Sequence, residues 1–169
     1  MTNPPLTMVL DCSGSMKENG KTFILQQLVR YVRELSILEE TEQHFESIHF
    51  ALWFDEIIEE SIDDDQPFFD LDVELQVSLE ALFVWIQENK PSNILLLSDG
   101  YFYEPNSTEM DPTSFNLALQ NLETSPFIRC VSVGSDANLN SLQLISSSNH
   151  VFHSTEIDSA IATPWMTIQ

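Results

Sequence analysis

The stretch Leu6-Thr7-Met8-Val9-Leu10-Asp11-Cys12-Ser13-Gly14-Ser15 decides how this chain folds. Its first half is a short apolar run bounded upstream by Pro4-Pro5, and its second half is a chain of small polar turn formers. An apolar run of this length reads as a strand buried on both faces, and the polar segment as the loop it feeds. The pattern recurs at Ile94-Leu95-Leu96-Leu97-Ser98, the clearest strand of the chain, which stops at Asp99-Gly100.

Working outward, residues 20–38 carry Leu25, Leu28, Val32 and Leu35 at helical spacing, which predicts an amphipathic helix docked on a sheet. Residues 48–54 read as a second buried strand and 57–62 as a weaker one beside it. The spacing of Leu75, Leu79, Leu82 and Ile86 predicts a helix over 73–89, ended by Pro91. Asp111-Pro112 opens another helix with an acidic cap and a proline at its first turn. Residues 127–133 read as a strand, 139–147 as a short helix, 151–152 as a short strand, and 156 onward as a last helix.

Strands and helices alternate throughout, which implies right-handed crossovers and a mostly parallel sheet covered on both faces. The expected fold is a single α/β domain over 1–169. It is a doubly wound, Rossmann-like three-layer sandwich of about six strands, one of them an antiparallel edge. Such sheets place their sites at the carboxyl ends of the strands, so the loops carrying Asp11 and Asp99 are expected to meet.

Composition narrows the function. The 169 residues hold 27 Asp and Glu against 6 Lys and Arg, a formal charge of −21. Nucleic acid and anionic membranes need clustered basic residues, so both are excluded as expected partners. With 43% hydrophobic residues the chain can still bury a core, so the acidity is not disorder. From Glu34 to Glu88 there are 17 acidic residues and no lysine or arginine, the pattern of a solvated acidic face. The N-terminus lacks a basic segment leading into a long apolar run, and no stretch is long enough to span a bilayer. Cys12 and Cys130 match no metal spacing and read as a reduced pair. A cytoplasmic location is expected.

The loop after the first strand offers Asp11, Ser13 and Ser15 at alternate positions, so that three oxygens can converge in a tight turn that Gly14 is expected to permit. Asp99 adds a carboxylate from the neighbouring strand end. An all-oxygen set suits Mg²⁺, Mn²⁺ or Ca²⁺ and not zinc. Cys12 sits between these donors but is a poor partner for a hard cation, and the acidic loop should keep its thiol protonated. His150 and His153 point to opposite faces of a strand, so no shared metal role is read into them.

Here the sequence resembles the von Willebrand factor type A domain family. Asp11-Cys12-Ser13-Gly14-Ser15-Met16 matches its Asp-x-Ser-x-Ser signature, and Leu97-Ser98-Asp99-Gly100 its later strand-terminal Asp-Gly. Residues 131–136, followed by Leu139 and Leu142, are similar to its penultimate strand and helix, and the order is right along nearly the whole chain. The resemblance implies a metal-ion-dependent adhesion site that binds another protein, often with a partner Asp or Glu completing the metal shell. It also implies company, since intracellular single-domain relatives often work beside AAA+ ATPases or in bacterial stress and defence systems.

One departure stands out. The family usually supplies a Thr just before the helix expected at 73, where this chain reads Pro67-Phe68-Phe69-Asp70-Leu71-Asp72-Val73-Glu74. Asp70 and Asp72 are the candidate substitute donors, Asp72 preferred; if Val73 is the equivalent, a ligand is lost. Met16 and the aromatic run Tyr101-Phe102-Tyr103 are the candidate partner-binding residues at the mouth of the site.

Two other functions compete. A Mg²⁺-dependent phosphohydrolase would use Asp11 as nucleophile, but the acid/base Asp expected two positions on is Ser13 and no suitable lysine follows. A structural subunit with a vestigial metal site is kept open by the missing Thr. The expected function is a non-enzymatic interaction module whose partner presents a basic surface, with binding weakened by salt and by chelator.

Overall fold

The computed structural model of the protein describes residues 4–38, 45–60 and 76–165. Among these residues six strands, β1 (Leu6–Asp11), β2 (Ile48–Trp53), β3 (Ile57–Glu60), β4 (Asn93–Ser98), β5 (Phe127–Ser132) and β6 (Val151–His153), form one sheet in the order β3-β2-β1-β4-β5-β6. Every pairing is parallel except β2 with β3, the antiparallel edge. Among the described residues five α-helices complete the sandwich: α1 (Lys21–Ile37), α2 (Leu79–Asn89), α3 (Pro112–Gln120), α4 (Leu139–Ile145) and α5 (Ile157–Ala162).

Alternation along the strands divides the core in two. Leu6, Met8 and Leu10 of β1 face α1 and α5, joining Leu25, Leu28, Val32, Ile157 and Ile161. Val9 faces the other way, with Ala51, Trp53, Ile94 and Leu96, toward Leu82, Trp85 and Ile86 of α2 and Phe115 and Leu142 of α3 and α4. β1 and β4 are buried at every position, which is why Met8-Val9-Leu10 and Ile94-Leu95-Leu96-Leu97 run apolar without alternating with polar residues. A fully buried Leu such as Leu96 contributes roughly 2–3 kcal/mol of transfer free energy, so a charged residue there should break the fold.

The helices begin where their caps are. Asp111 Oδ1 accepts the Ser114 N–H at 2.6 Å, with Pro112 at the first helical position, as the sequence predicts. The helix expected from 73 starts later. Ser78 is extended and its hydroxyl accepts the Ala81 N–H, so α2 opens at Leu79. The apolar period runs on across this cap toward Leu75, and residues 73–75 themselves lie outside the described residues. α4 stops at Ile145 because Ser146 is extended and donates its hydroxyl to the His150 carbonyl at 2.8 Å.

The chain winds outward from the middle of the sheet in both directions. β1 and β4 are the strands at which the order reverses, the crevice where such sheets hold ligands. Among the described residues, no helix is long and apolar enough to cross a membrane.

Candidate metal centre at the strand ends

β1 ends on Asp11, which is fully buried. Its Oδ1 accepts the Ser13 N–H at 2.8 Å and its Oδ2 accepts the Ser98 hydroxyl at 2.6 Å. The carboxylate is thus fixed from its own loop and from β4. Burial pushes the Asp11 carboxyl up to about 6; the charge of Asp99 adds to this, against the lowering effect of the Ser98 and Ser13 hydrogen bonds. A carboxylate held in this way is one that a cation would stabilise.

A 3-10 turn over Gly14–Lys17 carries the loop back, closed by Met16 N–H to Ser13 C=O at 3.1 Å. It brings the Ser13 and Ser15 hydroxyl oxygens to 3.1 Å of each other. Gly14 is not what permits this turn: its φ is not positive and a Cβ there would meet nothing within 4 Å. The expected need for glycine is therefore corrected, since the turn is an ordinary right-handed one that other residues can adopt.

Glycine is required at the second loop instead. Gly100 has φ +81°, and a Cβ there would lie 2.4 Å from the Asn138 carbonyl oxygen. That close approach lets Asn138 N–H donate to the Asp99 C=O at 2.7 Å. Asp99 itself is fully buried; its Oδ1 accepts the Tyr101 N–H at 3.0 Å. Its Oδ2 accepts from a residue that sequence reading passed over, Lys21, whose Nζ is 3.0 Å away. Lys21 is wholly buried and also reaches Asp136 at 3.0 Å. Burial alone would lower the lysine's pKa, but the two carboxylates outweigh it and raise it; Lys21 in turn lowers that of Asp136. One signal for Lys21 was legible. A lysine in the first turn of a helix opposes the helix dipole and calls for an explanation.

The aromatic run divides. Tyr101 is 46% exposed, and its hydroxyl donates to the Asp136 C=O at 2.7 Å. Tyr103 is partly buried against the core on the α2 side. Phe102 is 4% exposed and packs on Trp53 with ring centroids 5.5 Å apart, so the expectation that it meets a partner is corrected. Met16, 2% exposed, is likewise a core residue and not a surface contact. Both point inward because the segments carrying them fold back over the sheet end. Asp70 and Asp72 lie outside the described residues, so the site as described contains Asp11, Ser13, Ser15 and Asp99.

The spacing of the two serine oxygens fits a hard divalent cation, with Asp11 and Asp99 as the carboxylates at the same strand ends. Neighbouring ligands of an octahedral ion at about 2.1 Å stand about 3 Å apart, the separation of the two serine oxygens. The donors are all oxygen, and the Cys12 thiol is turned to the Leu10 carbonyl, its pKa pushed up to about 12 by burial and by Asp11. Among the described residues no three His, Cys, Asp or Glu side chains gather into a metal group. The two serines and solvent would have to supply what the two carboxylates do not. Above them lies a cleft of about 810 Å³ lined by Ser13, Ser15, Lys17, Tyr101, Tyr103 and Asp136, among others.

No protein-family model matches the sequence, and no curated protein does. Solved structures do. Proximal thread matrix protein 1 of the mussel byssus, solved with a zinc-occupied MIDAS motif, superimposes with a TM-score of 0.60 at 14% identity over 94% of this chain and 45% of that one. A von Willebrand factor type A protein of Catenulispora acidiphila gives 0.60 at 13% identity, over 95% and 41%. Manganese-loaded TRAP protein of Plasmodium vivax gives 0.60 at 13% identity, over 95% and 72%. The chain thus spans less than half of the mussel and Catenulispora proteins. The strand order, the antiparallel edge and these superpositions agree, and the chain has the von Willebrand factor type A fold.

Proposed function

We propose that this chain is a protein-interaction module that holds a divalent cation at the ends of β1 and β4 and meets its partner there. The observation that carries the proposal is the pair of serine oxygens 3.1 Å apart, set beside an Asp11 already fixed by Ser13 and Ser98. Asp11, Ser13, Ser15 and Asp99 would hold the ion, with Asp72 or Asp70 as the further donor. When bound, the cation supplies a Lewis-acidic position open to an oxygen from outside. Mg²⁺ suits an all-oxygen site that keeps waters; Mn²⁺ and Ca²⁺ share that chemistry.

Tyr101 and Tyr103 flank the cleft and would meet the partner. The charge of −21 favours a basic partner surface, with one Asp or Glu directed at the ion. Asp11 is a poor nucleophile as placed, buried and with both oxygens accepting hydrogen bonds, which supports a binding role over hydrolysis. A cytoplasmic setting, and company with an AAA+ ATPase or a stress or defence system, follow from the family resemblance.

Thermal unfolding with Mg²⁺, Mn²⁺ or Ca²⁺ tests the site. Binding at about a hundredfold above Kd should raise the melting temperature by roughly 5–10 °C. Asp11→Ala should abolish the rise. A chain whose melting ignores all three ions, or a native partner retained equally with and without chelator, would overturn the proposal.

A further inference from the structure

We infer that Lys21 is a built-in cation of the strand-end site, sharing Asp99 with the divalent ion and holding that carboxylate when the ion is absent. This rests on the reading of Asp11, Ser13, Ser15 and Asp99 as the ion's ligands. It adds a residue from outside that set, which governs how firmly the ion is held.

The slot for Lys21 is built by the fold. The side chain leaves the first turn of α1 and runs along Gly134, whose missing Cβ would stand 2.7 Å from the lysine Cε and 3.1 Å from its Cγ. The ammonium then meets two carboxylates, Asp99 Oδ2 at 3.0 Å and Asp136 Oδ1 at 3.0 Å, while the Tyr101 ring lies 5.6 Å away. Asp99 is wholly buried, whereas Asp136 is 44% exposed. The two acceptors therefore differ in what they need from Lys21. A buried carboxylate left without a counter-charge is strongly destabilising, and an exposed one is solvated by water. Asp99 depends on the lysine; Asp136 gives the ammonium a second place to go.

Two consequences follow from charge alone. Asp99 does not need a metal to balance its buried charge, because Lys21 already neutralises it. A divalent ion drawing on Asp99 is opposed by a fixed positive charge on the same carboxylate, so it binds more weakly than the oxygen donors alone would allow. When the ion takes Asp99, Lys21 is left with Asp136.

Calorimetric titration of the full chain with Mn²⁺, alongside unfolding in EDTA, tests this. Wild type should melt cooperatively in EDTA. Lys21→Met should lose roughly 10 °C in EDTA and bind Mn²⁺ at least about tenfold more tightly than wild type. Asp136→Asn, at an exposed position that should fold whatever Lys21→Met does, removes the second berth and should weaken Mn²⁺ binding several-fold. Equal Mn²⁺ affinity in wild type and Lys21→Met, or in wild type and Asp136→Asn, overturns the role of Lys21 and leaves the ion site standing. Absence of Mn²⁺ binding in all three chains overturns the ion site and this inference with it.

Discussion

A Cβ on Gly134 would stand 2.7 Å from Cε of Lys21. The loop after β5 and the first turn of α1, far apart in sequence, are therefore fitted to each other at the site. Gly134→Ala should cost about 2 kcal/mol or more, because it adds a clash to a backbone held at φ +92°. Urea denaturation measures this. In a Lys21→Ala background the 2.7 Å clash is gone but the backbone strain and a 3.1 Å approach to Asp136 Oδ1 remain, so the cost of Gly134→Ala should fall by about 1 kcal/mol and not vanish.

Gly100→Ala should be the more damaging of the two substitutions. Its obstacle is the Asn138 backbone carbonyl at 2.4 Å, which cannot swing aside as a methylene can. A loss of about 3–4 kcal/mol in the same assay is expected, a size reserved for core and backbone disruptions. Equal costs at positions 100 and 134 would contradict this ranking.

Arg129 lies in β5, 3% exposed, with its guanidinium 4.1 Å from the centre of the Trp165 ring. It donates to the carbonyls of Ala160, Thr163 and Pro164 at 2.6, 2.9 and 2.8 Å, satisfying acceptors that the end of α5 leaves open. Arg129→Met should cost about 3 kcal/mol: hydrogen bonds from a charged donor contribute about 1.5–3 kcal/mol each, and release of the buried guanidinium, whose Nε has no hydrogen-bond partner, offsets part of their loss. Arg129→Lys should recover little, because one ammonium cannot reproduce the planar fork. Chemical denaturation of both variants checks the pair.

The cap of α3 predicts a pH dependence. Hydrogen bonding to the Ser114 backbone N–H holds the Asp111 carboxyl below its ordinary 3.8. A depressed folded-state pKa means stability that is present above the unfolded value and lost as the pH falls through the folded one. Asp111→Asn keeps an acceptor at the cap, so it should melt much as wild type near neutrality. Below about pH 4 the variant should lose less stability than wild type. Melting curves from neutral to strongly acidic pH would show the two profiles together near neutrality and diverging below about pH 4.

Phe102→Ala should cost about 3–4 kcal/mol as a core truncation against Trp53. Tyr101→Phe removes one exposed hydrogen bond and should cost about 1 kcal/mol or less. Thermal melts of the two variants separate these neighbours.

That contrast marks the limit of sequence reading. β1 and β4 announce themselves because strands buried on both faces must be apolar throughout, and their order placed Asp11 and Asp99 at one crevice. The aromatic run gave no such signal, since an exposed Tyr101 and a buried Phe102 differ only in which way a loop turns. Gly14 and Gly100 look alike in sequence, yet only Gly100 is pressed against a backbone carbonyl. Lys21 was missed for a reason of distance. Its partners lie 78 and 115 residues away, and their pairing exists only once β4 and β5 stand beside α1. The start of α2 is not legible in apolar spacing, which does not see a hydroxyl cap such as that of Ser78.

The sheet also ends in a particular way. One margin is β3, which carries the charged pair Glu59-Glu60, and the other is β6, only three residues long. Unpaired strand margins invite other chains to add to them, and short or charged ones discourage it. In the described residues both margins are of the discouraging kind. Self-association by strand addition at these two margins is thereby disfavoured, as charged or short margins offer little to a chain that would extend the sheet into a fibre.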